Sequence, residues 1–210
     1  MIVVAAAWKG IVNASFVVYS LIFLTSLFFG RAFCSWFCPG CGIQEILSAG
    51  IRKKSRNSKA VYLKYIIFTI WLGTIVTGYL MTGIHSVDLT FGMTDITLAR
   101  KIILTAGALL IILPVTVAFG RFASCKYVCW MAPFLIFGTR IRDFFHIRGL
   151  RLNVSAEKCT GCGICTTACP MNLDVSAQVQ MGEMKHDECI LCGNCLDSCK
   201  KGAIKFTFAK

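Results

Sequence analysis

The chain is short of histidine and of acid. It has three histidines, His85, His146 and His186, and ten Asp and Glu against 22 Lys and Arg. None of the histidines falls within the three long runs that carry no formal charge, 10–29, 65–84 and 102–120. A haem held between two histidines inside a membrane is therefore not expected in this chain. The sequence also lacks a nucleotide-binding glycine loop, a nucleophile placed beside a base, and paired catalytic carboxylates. His85 and Asp88, at the end of the second run, read as ordinary polar residues of a solvated loop.

What is there is apolar: 56% of the 210 residues are hydrophobic, 15% are charged, and the mean hydropathy is +0.69. That is too apolar for an ordinary soluble chain of this size. A hydrocarbon core of ~30 Å needs roughly 20 apolar residues to cross it, and each uncharged run is about that long. About three transmembrane helices are expected in residues 1–150, with residues 1–9 extending the first and Pro114 kinking the third. Lys64, at the mouth of the second, is expected to snorkel to the interface.

The basic residues orient these helices, because short loops rich in Lys and Arg stay in the cytoplasm. Residues 31–60 hold six bases and one acid, Glu45, whereas residues 82–99 hold Asp88 and Asp95 and no base. The first loop is expected inside and the second outside, in a multi-pass protein of the cell membrane. Orientation and contact with anionic membrane lipid account for the net charge of +12, so no nucleic-acid partner is expected.

Composition changes at about Arg151. The remaining residues, 151–210, repeat a four-cysteine run after thirty residues: CTGCGICTTACP begins at Cys159 and CILCGNCLDSCK at Cys189. Each run is C-x2-C-x2-C-x3-C, the spacing of cysteines around iron-sulfur cubanes. Disulfides fit poorly with a cytoplasmic location, and zinc ribbons pair C-x2-C units without the third and fourth cysteines. Leu152–Val154 and Ala203–Phe206 are expected to pair as a small ribbon. This tail resembles bacterial dicluster ferredoxins. The resemblance implies an α+β domain in which Cys159, Cys162, Cys165 and Cys199 hold one [4Fe-4S] cluster, and Cys189, Cys192, Cys195 and Cys169 hold the other.

A second repeat lies in the first 150 residues. Phe29-Gly30-Arg31 precedes Cys34-x3-Cys38, and Phe119-Gly120-Arg121 precedes Cys125-x3-Cys129. If each motif is helical, its two thiols share one face, and both motifs fall on the expected cytoplasmic side. With the extra thiol of Cys41, these five cysteines are candidates for a further metal or iron-sulfur centre; a redox-active dithiol and simple packing of buried cysteines are the alternatives. Cys34-x3-Cys38-x2-Cys41 also has the radical S-adenosylmethionine spacing, but nothing in the chain builds the barrel such enzymes need. Phe33, Trp36, Phe37, Tyr127 and Trp130 read as an interfacial aromatic belt. Ile43, Ile46, Leu47 and Ile51, and Phe137, Ile141, Phe144 and Phe145, recur at helical spacing and read as two interfacial amphipathic helices.

Together the motifs resemble the membrane polyferredoxins of the NapH, NosR and CcoG type. The resemblance implies an electron-transfer component of an oxidoreductase complex rather than a stand-alone catalyst. It would relay electrons between a cytoplasmic or subunit donor and a membrane acceptor, with other redox subunits, quinone or a soluble electron carrier as partners. A maturation or metal-handling factor that reduces copper or a cofactor, and a redox sensor, are the alternatives. Cys129 is followed by Trp130 where the family motif has proline, and Lys200 stands where the ferredoxin pattern has proline.

Overall fold

The computed structural model describes residues 2–48, 59–88 and 98–209. The first elements are α1 (Ile2–Ala7), β1 (Ile11–Val12), α2 (Ala14–Phe29), α3 (Ala32–Trp36) and α4 (Pro39–Ser48). They are followed by α5 (Leu63–Thr82), β2 (Ser86–Val87), α6 (Leu98–Phe119), α7 (Ala123–Tyr127) and α8 (Met131–Phe144). The tail contributes β3 (Gly149–Val154), α9 (Ile164–Ala168), α10 (Val175–Gln180), α11 (Asn194–Asp197) and β4 (Ile204–Ala209).

One helical segment, Ala60–Thr82, is long and apolar enough to cross a membrane. The expectation of three full crossings is thus met by one helix among the described residues. The 16 residues of α2 reach only ~24 Å at 1.5 Å per residue. In α6, which contains Pro114 and is helical on both sides of it, the apolar part is 105–119. Residues 2–9 do not extend α2. Ile2–Ala7 form the separate α1, which lies along α5 with Val3 against Ile75 in one small core and Ala7 beside Gly78. β1 then pairs in parallel with β2, Ile11 opposite Ser86. Asn13 caps α2 by accepting the Phe16 N–H at 3.3 Å.

α8 also makes contacts that the reading of an interfacial helix did not include. It packs along α2 and α5, and the crossing is close because Gly138 has no side chain: a Cβ there would meet Ser26 Oγ at 1.9 Å. Leu135, Ile136 and Arg142 face inward, while Phe137 and Phe144 face out. The apolar stripe found by periodicity is the outer face of the helix. α4 is helical over Ile43, Ile46 and Leu47, with Ile46 exposed, whereas Ile51 lies outside the described residues.

The aromatic belt is corrected too. Trp130 stacks on Trp71 with ring centroids 4.3 Å apart and meets Tyr19 edge-on at 5.3 Å; both partners sit well inside their helices. Tyr127 is buried against Phe119. Trp36 meets Phe206 of the tail. Trp36 and Phe37 are exposed and Phe33, stacked on Phe37, is half-buried, so these three keep the surface character of a belt.

In the tail, β3 and β4 pair antiparallel from Val154–Ile204 to Gly149–Ala209, the ribbon expected from the sequence but three residues longer at its Gly149–Ala209 end. It closes a core of Leu152, Met171, Leu173, Val175, Val179 and Ile204.

Candidate metal centres

Within the tail, the first two cysteines of each run lie in an irregular loop and the third opens the next short helix. Gly163 and Gly193 begin α9 and α11 in the left-handed region, at φ 72° and 89°, where a side chain is strained. At the matching position two residues earlier, the first run has Gly161 (φ 68°) and the second has Leu191 (φ 53°). A left-handed leucine costs roughly 1–2 kcal/mol. It is held there by docking, since Leu191 is buried beside Gly30 at the end of α2.

These loops line two cavities. Cys159, Cys162, Cys165 and Cys199 line one of about 220 Å³. Cys169, Cys189, Cys192 and Cys195 line a smaller one with Leu152, Met171, Leu173 and Ile190. Backbone N–H groups aim at the sulfurs: Ile164 donates to Cys162, Leu191 to Cys189 and Asn194 to Cys192. Burial pushes the Cys189 thiol up to about 11 and the Cys195 thiol up to about 12. Without a cation these groups are neutral thiols at pH 7; a metal that displaces the proton makes them thiolates. Four thiols and inward-aimed amides around one cavity fit an iron-sulfur cubane.

The five other cysteines also gather. The two motifs fold alike, though not as single helices. Short helices α3 and α7 end before the second cysteine, whose N–H turns back five residues: Cys38 to the Phe33 carbonyl at 3.0 Å and Cys129 to that of Ser124 at 2.9 Å. The second thiol of each pair therefore sits in a turn leading to the next helix, and the expected shared helix face is not formed. Cys41 and Cys125 are in contact at 3.6 Å between sulfurs, and Gln44 Nε2 donates to Cys125 at 3.2 Å. Cys34 lies within electrostatic reach of Cys129, Cys41 and Cys38. Cys129 receives the N–H groups of Met131 and Ala132, as the tail cysteines receive theirs. Burial pushes Cys34 up to about 12. The hydrogen bond between Cys41 and Cys125 lowers the former and raises the latter. Among the described residues, no three His, Cys, Asp or Glu side chains converge as a single-ion site. A cubane differs in that each ligand meets a different iron atom, so its thiols stand further apart.

The two thiol groups meet at a buried ion cluster that the sequence reading missed. Glu188, next to Cys189, pairs with Arg31 at 3.3 Å and with Lys64. Burial alone would raise the Glu188 carboxyl, but Arg31 and Lys64 hold it below its ordinary range. Arg31 also donates to the Asp187 carbonyl at 2.6 Å, and Ser35 Oγ to that of Ile190 at 2.9 Å. Lys64 does not snorkel; it is fully buried. The available signal was Arg31 of the repeated Phe-Gly-Arg, together with an acid placed directly beside a cysteine run. The remaining histidines lie elsewhere, except that His186 Nδ1 accepts the Glu188 N–H at 3.0 Å.

Two family models match: a 4Fe-4S binding domain over residues 14–58 and a 4Fe-4S dicluster domain over residues 151–200. Two segments of the chain are thus similar to 4Fe-4S binding domains of ferredoxin type, which supports iron-sulfur clusters as its cofactors. The chain is 27% identical over 213 residues to an uncharacterized protein of Methanocaldococcus jannaschii, covering 96% of this chain and 82% of that one. It is 27% identical over 200 residues to ferredoxin-type protein NapH of Haemophilus influenzae, covering 84% of this chain and 62% of that one. It is 26% identical over 190 residues to regulatory protein NosR of Stutzerimonas stutzeri, covering 86% of this chain but 25% of that one. No solved structure matches. The two domains and these relatives support a polyferredoxin-like family for the chain.

Proposed function

We propose that this chain is a membrane-anchored electron-transfer subunit. It would relay electrons between a cytoplasmic or subunit donor and an acceptor at the membrane, either quinone or a partner redox enzyme. Each iron-sulfur group supplies one-electron chemistry at a potential set by its surroundings. The observation that carries the reading is the docking of the Cys169/Cys189/Cys192/Cys195 cavity, through Glu188, onto Arg31 and Lys64, beside the five-thiol group. Cys162 is exposed to solvent, whereas Cys34 and Cys41 are buried at the helix ends. A soluble or subunit donor would meet the chain on the Cys162 side.

Supporting membrane anchorage are the Ala60–Thr82 segment and the outward aliphatic and aromatic side chains of α2, α5 and α6, among them Leu21, Phe28, Ile70, Leu80, Leu110 and Val117. In water such surface would aggregate. The Lys and Arg asymmetry puts the tail in the cytoplasm and Ser86 outside. A cysteine introduced at the exposed Ser86 should react with an impermeant thiol reagent in intact cells; labelling only after lysis would reverse the orientation.

Cys34, Cys38, Cys41, Cys125 and Cys129 are proposed to hold a third centre between the tail and the bilayer, with one thiol to spare. The full chain should then carry more iron than the about eight atoms of two cubanes, and Cys38→Ser with Cys129→Ser should return it to about eight. An unchanged count would leave these cysteines as a dithiol or as packing. Copper at this position would favour the metal-handling alternative, since thiolates also select Cu(I).

A further inference from the structure

Arg31 stands between the two thiol groups by covalent and hydrogen-bonded connection. Its carbonyl accepts the Cys34 N–H at 3.0 Å. Its guanidinium binds the Asp187 carbonyl and the Glu188 carboxylate, two residues and one residue before Cys189. It is 2% exposed, and Lys64, which shares Glu188, is 0% exposed. Two cations thus share one carboxylate, which leaves one surplus positive charge out of water. Among the described residues no second carboxylate lies within ion-pair distance of Arg31 or Lys64. A surplus buried charge is costly unless something of opposite sign compensates it.

The compensating charge is close by. Four thiolates outweigh the charge of a cubane core, so the ligated group is anionic and becomes more so on accepting an electron. Arg31 lies within electrostatic reach of Cys34, Cys41 and Cys129 on one side and of Cys189 on the other. Arg121, the counterpart of Arg31 in the repeat, makes no such connection among the described residues: the buried Nε of both arginines lacks a partner, but only Arg31 reaches Asp187 and Glu188 through its other nitrogens. The repeat is therefore unequal at the residue that touches the tail.

We infer that Arg31, steered by Glu188, is a positioning residue that favours the reduced state of both the five-thiol centre and the Cys169/Cys189/Cys192/Cys195 cluster, so that the two stay matched for electron exchange. The inference rests on the proposed third centre for one of its two sides only; the other side is the tail cluster. Removing the positive charge destabilises the reduced form of each group, and removing the Glu188 charge has the opposite sign.

The test is a redox titration of the purified full chain, followed by electron paramagnetic resonance. Arg31→Gln is expected to lower the reduced-to-oxidised ratio of both centres about tenfold at a fixed ambient potential, equal to about 59 mV for one electron. Arg31→Lys should restore most of the shift, and Glu188→Gln should move both centres upward. Arg140→Gln, at a largely exposed pair with Asp187, should move neither. Shifts of the same sign in Arg31→Gln and Glu188→Gln, or no shift in variants that keep their iron, would overturn the inference. Should Arg31→Gln lose iron, the upward shift in Glu188→Gln and the near-normal potential of Arg31→Lys decide it. Absence of a third signal from the unaltered chain would instead remove the third centre and leave the effect on the tail cluster to be read alone.

Discussion

Replacing Glu188 by Ala is expected to loosen the tail from the helices, at a cost of about 3–5 kcal/mol, the usual penalty for removing one partner of a buried ion pair. The variant would leave Arg31 and Lys64 buried without their carboxylate, and both are 2% exposed or less. Arg140→Ala breaks the neighbouring Arg140–Asp187 pair, whose side chains are 63% and 45% exposed. That change should cost no more than about 1 kcal/mol, because water replaces the lost partner. Hydrogen exchange reads the difference directly. In Glu188→Ala, amides of Ala32–Trp36 and of residues 187–191 should exchange faster while the β3–β4 ladder stays protected. If the two variants exchange alike, the buried ion cluster does not hold the tail in place.

Cys169→Ser is expected to remove about four iron atoms from the full chain, one cubane's worth, although Cys169 belongs to the first run. Its thiol lines the cavity of Cys189, Cys192 and Cys195, while Cys199 of the second run lines the cavity of Cys159, Cys162 and Cys165. Adding Cys192→Ser should therefore cost no further iron, and adding Cys162→Ser should cost about four more. The reverse pattern, with Cys169 and Cys162 acting as one unit, would mean that each run binds its own cluster. The crossing also makes the domain cooperative: each set draws on both runs, so neither half can close its cavity alone.

The thirty-residue repeat was legible because cluster-binding loops are local. Three cysteines within seven residues, separated by residues that tolerate positive φ, specify the loop with little help from the rest of the fold. Leu191 shows the limit. As a sequence letter it is a departure from glycine, and only the docked helix end at Gly30 shows why a side chain belongs there. Likewise the second repeat, Phe-Gly-Arg followed by C-x3-C, pointed to the five cysteines. The turn at Cys38 and Cys129, the Cys41–Cys125 contact and the role of Gln44 all depend on where α4 and α7 meet.

An uncharged run located α5 and apolar periodicity located α8 with its outward stripe, but neither showed what holds the other face of α8. In water an apolar stripe turns inward. Here the close Gly138–Ser26 crossing and the inward Arg142, bonded to the Leu150 carbonyl at 3.2 Å, turn the stripe outward. Lys64 failed for the same kind of reason: a lysine at the end of an apolar run ordinarily snorkels to water, but this one finds a carboxylate 124 residues away.

The sequence by itself determined the chemistry: thirteen cysteines in repeated short-range spacings, an apolar chain, and a surplus of bases at particular loops. Those properties are written in neighbouring residues, and ligand loops and membrane insertion respond to neighbouring residues. The tertiary structure decided how the groups connect: Cys199 lining a cavity with the first run, α1 lying on α5, and Arg31 and Lys64 converging on Glu188. Such contacts join residues far apart in the chain, and a charge is kept out of water only when a distant partner arrives to share it.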